Sequence, residues 1–171
     1  MQLAMGFLMG FRARKGRQLC LVSAGNGKSR IAAIAALIFL LNNPKKRAHF
    51  VFSTEHLMKR DRDDFADLWS FVGERVEYHF NLLFSRKPND LLIFDEADFF
   101  YLNPELNFER FTKNQACICL TATEGGGKDH SAEQSIKERL DFKVVTDPLN
   151  PIHHGEMQLD VAHNALQYIL Q

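Results

Sequence analysis

Leu19-Cys20-Leu21-Val22-Ser23-Ala24-Gly25-Asn26-Gly27-Lys28-Ser29-Arg30 is the stretch that decides how this chain folds. The apolar run Leu19 to Val22 has the character of a strand. It empties into small residues, and these open the Ala-, Ile- and Leu-rich run Ile31 to Leu41, which reads as a buried helix. A phosphate-binding loop requires that order. Small residues let backbone N–H groups curl around a polyphosphate, and the following helix turns its positive N-terminal end towards the anion. Gly25, Asn26 and Gly27 would form the cradle. Lys28 would reach the outer phosphates and the hydroxyl of Ser29 would ligate Mg²⁺. The full pattern wants glycine at the position of Val22. A Gly-rich turn carrying a solvated lysine is the plain alternative.

Outward from the loop, strand-like and helix-like segments alternate. Residues 2–14 read as a helix, apolar at Leu3, Phe7 and Leu8, and the basic residues Arg12, Arg14, Lys15 and Arg17 follow. Pro44 ends the helix after the loop, with Lys45, Lys46 and Arg47 as its C-terminal charge. His49 to Ser53 reads as a short strand. One helix is expected from Thr54 to Val72, with Leu57, Phe65, Leu68, Trp69 and Val72 on its apolar face. The charged residues Lys59 to Asp64 read as its solvated side. Val76 to Leu83 looks extended, and Lys87 to Asp90 makes a turn. Ala116 to Leu120 and Phe142 to Val145 read as further strands. Between them Gly125-Gly126-Gly127-Lys128 is rejected as a second phosphate loop, because Asp129 stands where a hydroxyl is needed. Ser131 with Gln134 starts a helix through Leu140. Asp147 to Pro151 is a Pro-bracketed linker, and Glu156 to Gln171 a last helix. This alternation implies α/β architecture with a mainly parallel central sheet flanked by helices.

A chain of 171 residues with 46% hydrophobic content suits about one domain with a real core. Lys+Arg and Asp+Glu both number 21, so no global field draws it to nucleic acid or a membrane surface. The three cysteines favour buried thiols in a reducing, intracellular setting over a disulfide framework. Cys117 and Cys119 are spaced to share one face of a strand, and no partners for a cysteine metal site are visible. The apolar start precedes its positive charges, the reverse of a signal peptide, and no run has the length of a membrane span. A cytoplasmic location is the expectation.

The second decisive stretch is Leu91-Leu92-Ile93-Phe94, four large apolar residues that mark a strand buried on both faces, ending in Asp95-Glu96-Ala97-Asp98. Acids at the end of a buried strand are costly unless they meet a cation or donors. In a parallel sheet the carboxyl ends of strands are where ligands sit. Mg²⁺ held between Ser29 and Asp95 would account for both motifs together, and Glu96 would orient or deprotonate the attacking water.

With those residues in place, the chain resembles the first motor domain of superfamily 2 helicases of the DEAD-box type. Asp95 to Asp98 matches that family's second motif, and Thr121-Ala122-Thr123 its third, which couples hydrolysis to movement. The resemblance implies a RecA-like P-loop NTPase fold binding ATP and Mg²⁺, with Asp98, Thr121 and Thr123 in the coupling. A closer likeness is to the ATPase family of the bacterial preprotein translocase, SecA, which also lacks the first glycine of the loop. Gln2-Leu3 is similar to the segment whose glutamine reads adenine there. Phe52 to Asp61 is similar to the segment after that family's second strand, and Asp147-Pro148-Leu149-Asn150-Pro151 to its interdomain element. The resemblance divides the chain into an ATP-binding domain, 1–146, and a linker with the first helix of a second motor domain, 147–171.

Departures from that pattern shape the rest of the expectation. Between Val76 and Leu91, and between Phe99 and Ala116, there is too little chain for the translocase's motif-rich connection and its preprotein-crosslinking domain. In the family the second motor domain supplies an arginine finger. The expectation is therefore binding of ATP with weak hydrolysis alone, and full activity with a second motor domain or protein partner. The substrate, polypeptide or nucleic acid, stays open. So does a nucleotide-binding interaction module that does not hydrolyse ATP, or a fragment of an RNA helicase. Arg30 lies in the helix after the loop and Arg60 is expected to face outward.

Overall fold

Two buried runs of apolar residues and the helices between them build the sheet. The computed structural model describes residues 2–13, 16–22, 27–113, 115–121 and 143–146. Its strands are β1 (Arg17–Leu21), β2 (Ala48–Val51), β3 (Val76–His79), β4 (Leu91–Phe94), β5 (Ala116–Thr121) and β6 (Lys143–Thr146). They form one sheet in the order β3-β2-β4-β5-β1-β6, and every pairing is parallel. Parallel neighbours need crossovers, and helices supply them. These are α2 (Lys28–Asn42), α3 (Glu55–Asp64), α4 (Ala66–Trp69), α5 (Ala97–Leu102) and α6 (Phe108–Thr112), while α1 (Gln2–Arg12) precedes the first strand. The expected α/β class with a parallel sheet flanked by helices is what is found. Among the described residues no helix is long and apolar enough to cross a membrane.

The pleat sends alternate residues into two cores. Cys20, Val22, Leu91, Ile93, Ile118 and Leu120 face the α2 side, while Leu19, Leu92, Phe94, Cys117 and Cys119 face the α5 and α6 side. The Cys117 and Cys119 sulfurs lie 3.6 Å apart, both thiols free and buried. Burial pushes the Cys119 thiol well up, and its neighbour Cys117 adds to the rise.

Helix α2 is apolar nearly all round because it is covered on two sides, by the sheet and by α1. The α1 crossing is close at Gly6 and Gly10. A Cβ on Gly10 would sit 2.4 Å from the Ala35 carbonyl oxygen, and one on Gly6 would sit 2.7 Å from Ile34 Cβ. Met5, Leu8 and Met9 make the buried stripe of α1, whereas Leu3 is exposed. Of the expected apolar face, Leu8 is buried, Phe7 is half-buried and Leu3 is not part of it. Gln18 Nε2 donates to the Met9 carbonyl at 2.9 Å and ties α1 to β1.

Other expectations are corrected. The single helix from Thr54 to Val72 is two, broken at Phe65, whose φ of −113° and ψ of 11° leave the helical region. Thr54 caps the first, accepting from the Leu57 N–H at 3.4 Å. The basic run does not cap α2. Arg75 Nη1 donates to the Leu40 carbonyl at 2.8 Å, while Lys46 reaches Pro88 and Arg47 pairs with Glu77. The extended segment after Gly73 is a strand only from Val76 to His79. Two short helices, α5 and α6, occupy a stretch with no clear period in the sequence. The helix from Ser131, the linker at 147 and the final helix lie outside the described residues, as does the domain division at 146.

Candidate functional site

Parallel register brings the strand ends to one edge. Leu21 pairs with Thr121, and Phe94 with Cys119. Just beyond, the Val22 N–H donates to the Thr121 carbonyl at 3.2 Å, and the Asp95 N–H to the Val51 carbonyl at 3.0 Å. Gly27 then turns the chain into α2 with a φ of 81°, the left-handed region that glycine enters without steric cost. Lys28 and Ser29 occupy the first turn of α2, where backbone N–H groups are free and the helix end is positive.

Gly27, Lys28, Ser29, Asp95 and Glu96, all selected from the sequence, line one cavity of about 510 Å³ at this edge. Gly25, Asn26 and Thr123 lie outside the described residues, and of Gln2 only its place at the start of α1 is described. Asp95 carries the strongest signal in the cavity. Its Oδ1 is buried and has no hydrogen-bond partner among the described residues. Burial raises its pKa, Asp61 and Glu96 push the same way, and Lys28 and Arg60 oppose. A hard dication takes carboxylate and hydroxyl oxygens. Asp95 and Ser29 both line the cavity and offer such oxygens, so the donor set suits Mg²⁺.

Glu96 holds its position through strain. Its φ of 54° and ψ of 57° place a non-glycine residue in the left-handed region, which costs about 1–3 kcal/mol. The Ser53 hydroxyl donates to its carboxylate. Ser53 ends the segment carrying β2 and was not selected as a site residue, because its link to Glu96 exists only once β2 and β4 pair. Asp98, in the first turn of α5, accepts from the Thr121 hydroxyl at 3.1 Å. The second and third motifs therefore touch, across 23 residues of sequence.

The charged side of α3 is not all solvated. Asp61 is buried, and Arg60 holds it through Nε at 3.0 Å and Nη2 at 2.7 Å. Both line the cavity, and Arg60 acts on Asp95 electrostatically. Arg60 is exposed, as expected, and it also lines the cavity. Helical periodicity cannot show this, since the polar side of α3 is the side that meets the sheet edge.

No family model matches the sequence, and no curated protein matches it. Among solved structures, the helicase domain of Pyrococcus furiosus Hef matches over 84% of this chain and 38% of that one, with a TM-score of 0.51 and 16% identity. The DUF1998 helicase MrfA matches over 84% of this chain and 30% of that one, with a TM-score of 0.53 and 14% identity. The chain spans well under half the length of either. Likeness at such identity is likeness of fold, and the parallel α/β fold of this chain is similar to that of these two helicase structures.

Proposed function

We propose that this chain is the nucleotide-binding half of a superfamily 2-type motor, taking ATP with Mg²⁺ at the strand-end cavity. The observation that carries the reading is the buried Asp95 oxygen, without a partner among the described residues, in one cavity with Lys28 and Ser29. A buried polar atom left bare is expensive, and a ligand that satisfies it relieves the cost on binding. Lys28 and the N-terminal end of α2 supply positive charge for the phosphates. Ser29 and Asp95 would hold the Mg²⁺, which would supply charge neutralisation for the phosphates. Glu96, fixed by Ser53, is the base or water-positioning group. Asp98 with Thr121 links the acidic strand end to β5, a route for coupling to movement.

The test is a thermal-shift titration with ATP and Mg²⁺. At a hundredfold excess over the dissociation constant, linkage gives about 2.7 kcal/mol, a rise of roughly 5–11 °C for a chain of this size. No rise, or the same rise in Lys28→Ala, overturns the reading.

The finer assignment is to a SecA-like ATPase, with Gln2 reading adenine, Gly25 and Asn26 in the cradle and Thr123 beside Thr121. It rests on the sequence motifs. Turnover by this chain alone is weak on this reading and rises with a second motor domain. Its coverage of 38% and 30% of the matched helicases agrees with a motor of more than one domain. The substrate, polypeptide or nucleic acid, stays open, and tight binding of unfolded polypeptide would favour the translocase-like reading. Salt-sensitive binding of RNA, absent for unfolded polypeptide, would replace it with the helicase reading.

A further inference from the structure

A second group of side chains with ligand chemistry lies away from the strand-end cavity, on β2 and the outer strand β3. Parallel pairing sets His49 beside Glu77 and Val51 beside His79, so His49, Glu77 and His79 share one face of the sheet. His49 Nδ1 lies 3.2 Å from His79 Nε2 and 3.4 Å from Glu77 Oε2, and His79 Nε2 lies 3.6 Å from that same oxygen. A tetrahedral zinc ion with bonds of about 2.0–2.1 Å keeps its ligand atoms about 3.3–3.4 Å apart. The three atoms already form one face of such a tetrahedron.

The surroundings hold each donor in that orientation. Asp90 Oδ2 lies 3.5 Å behind His49 Nε2. Asp90 is itself fixed, accepting from the Lys87 N–H at 2.9 Å and, through Oδ1, from the Arg47 N–H at 3.1 Å. A carboxylate behind the ring keeps the proton on Nε2 and turns the Nδ1 lone pair towards the other two donors, as in metal-bound histidines generally. Arg47 pairs with Glu77 Oε1 and leaves Oε2 facing the imidazoles. Phe84 stacks on His79 at 3.6 Å and on His49 at 5.1 Å. It covers ring faces, whereas a metal binds in the ring plane.

We propose that His49, Glu77 and His79 bind one zinc ion, with water at the fourth position, and that the ion clasps β3 to β2. Two imidazoles and one carboxylate suit zinc far better than Mg²⁺, which takes oxygen donors. His49 is buried, and Glu77 and His79 reach the surface, giving the ion a path in. An outer strand of four residues, paired on one side only, is where such a clasp adds most.

The test is calorimetric titration of metal-free full chain with zinc chloride, without nucleotide, in wild type, Glu77→Gln and His79→Asn. Both positions are partly exposed on an outer strand, and circular dichroism checks that the variants stay folded. One tight equivalent is expected, weakened at least a hundredfold by either change and unaltered in Lys28→Ala. Asp90→Asn, behind the ligand, should cost about tenfold to a hundredfold. Cobalt in place of zinc should give the intense visible bands of a four-coordinate site. Absence of tight zinc binding, or binding that survives both ligand variants, would falsify the site and leave the triad as a hydrogen-bonded pair of imidazoles beside a carboxylate. Magnesium that competes equally with zinc would overturn it as well. None of these outcomes depends on whether ATP binds.

Discussion

The strand-end cavity and the β2–β3 cluster differ in how their polar atoms are served. In the cavity, Asp95 Oδ1 has no partner among the described residues and Glu96 sits in a strained conformation. In the cluster, His49, Glu77, His79 and Asp90 all have close polar neighbours within the chain. Both hold acids close to basic groups. The first is organised around an atom still to be satisfied, and the second around donors that satisfy each other until a cation replaces their mutual contacts. The contrast teaches that burial alone does not mark a ligand site; the state of each lone pair does.

The largest effect that would sharpen the contrast is on chemistry. If Glu96 positions or deprotonates water, Glu96→Gln should lower phosphate release by about 10²–10⁴-fold while ATP still binds. Single-turnover release beside equilibrium binding would read both. An unchanged rate would remove Glu96 from the chemistry, and the contrast would lose its catalytic side.

Next in size is ligand stabilisation. Lys28→Ala should abolish the rise of roughly 5–11 °C with ATP and Mg²⁺, and Glu77→Gln should keep it. Equal losses in both variants would mean that the two regions are one site energetically.

A smaller effect separates stability from function at Asp95. Burial holds its pKa up, so its ionised form opposes folding at neutral pH. Asp95→Asn should therefore stabilise the ligand-free chain, by on the order of 1 kcal/mol or 2–4 °C, while removing the Mg²⁺-dependent share of ATP binding. A lower melting temperature without ligand would show that the carboxylate is already satisfied.

The smallest effect is a pH dependence at the cluster. Burial, with help from His49 and against Glu77, holds the His79 pKa down from 6.5 to about 4. Between those values the unfolded chain binds the proton and the folded chain does not. The stability involved is present above pH 6.5 and is lost as pH falls towards 4. His49, Glu77, Asp90 and Arg47 are the charged and titratable groups around it. Urea midpoints at pH 7 and pH 5 for metal-free chain should differ less in His79→Asn than in wild type. Identical pH dependence in the two would show that His79 titrates freely.

Legibility followed contiguity. Lys28 and Ser29 come soon after one buried strand and Asp95 and Glu96 directly after another, so their place beyond the strand ends was readable from local order, and parallel pairing then sets both at one edge. Ser53, Arg60 and Asp61 were missed as site residues for the converse reason. Their polarity is what any solvated helix or strand end displays, and only the packing of α3 against the sheet edge decides which side faces the cavity. Arg75 at the end of α2 was illegible likewise, since it lies 35 residues from the carbonyl it caps.

What the amino-acid sequence determined by itself is the class of the fold and the identity of two motifs. Apolar runs of strand length that alternate with helices specify a parallel sheet, and the order of residues places Lys28 and Asp95 after buried strands. What only tertiary structure decided is register. A shift of one residue between β2 and β3 would move His49 away from Glu77 and His79 and send a different set of side chains to that face. Register is set by the cooperative fit of both cores at once, by the turn into β4 that anchors Asp90 to Arg47 and Lys87, and by the stacking of Phe84. None of these is a local property of the chain.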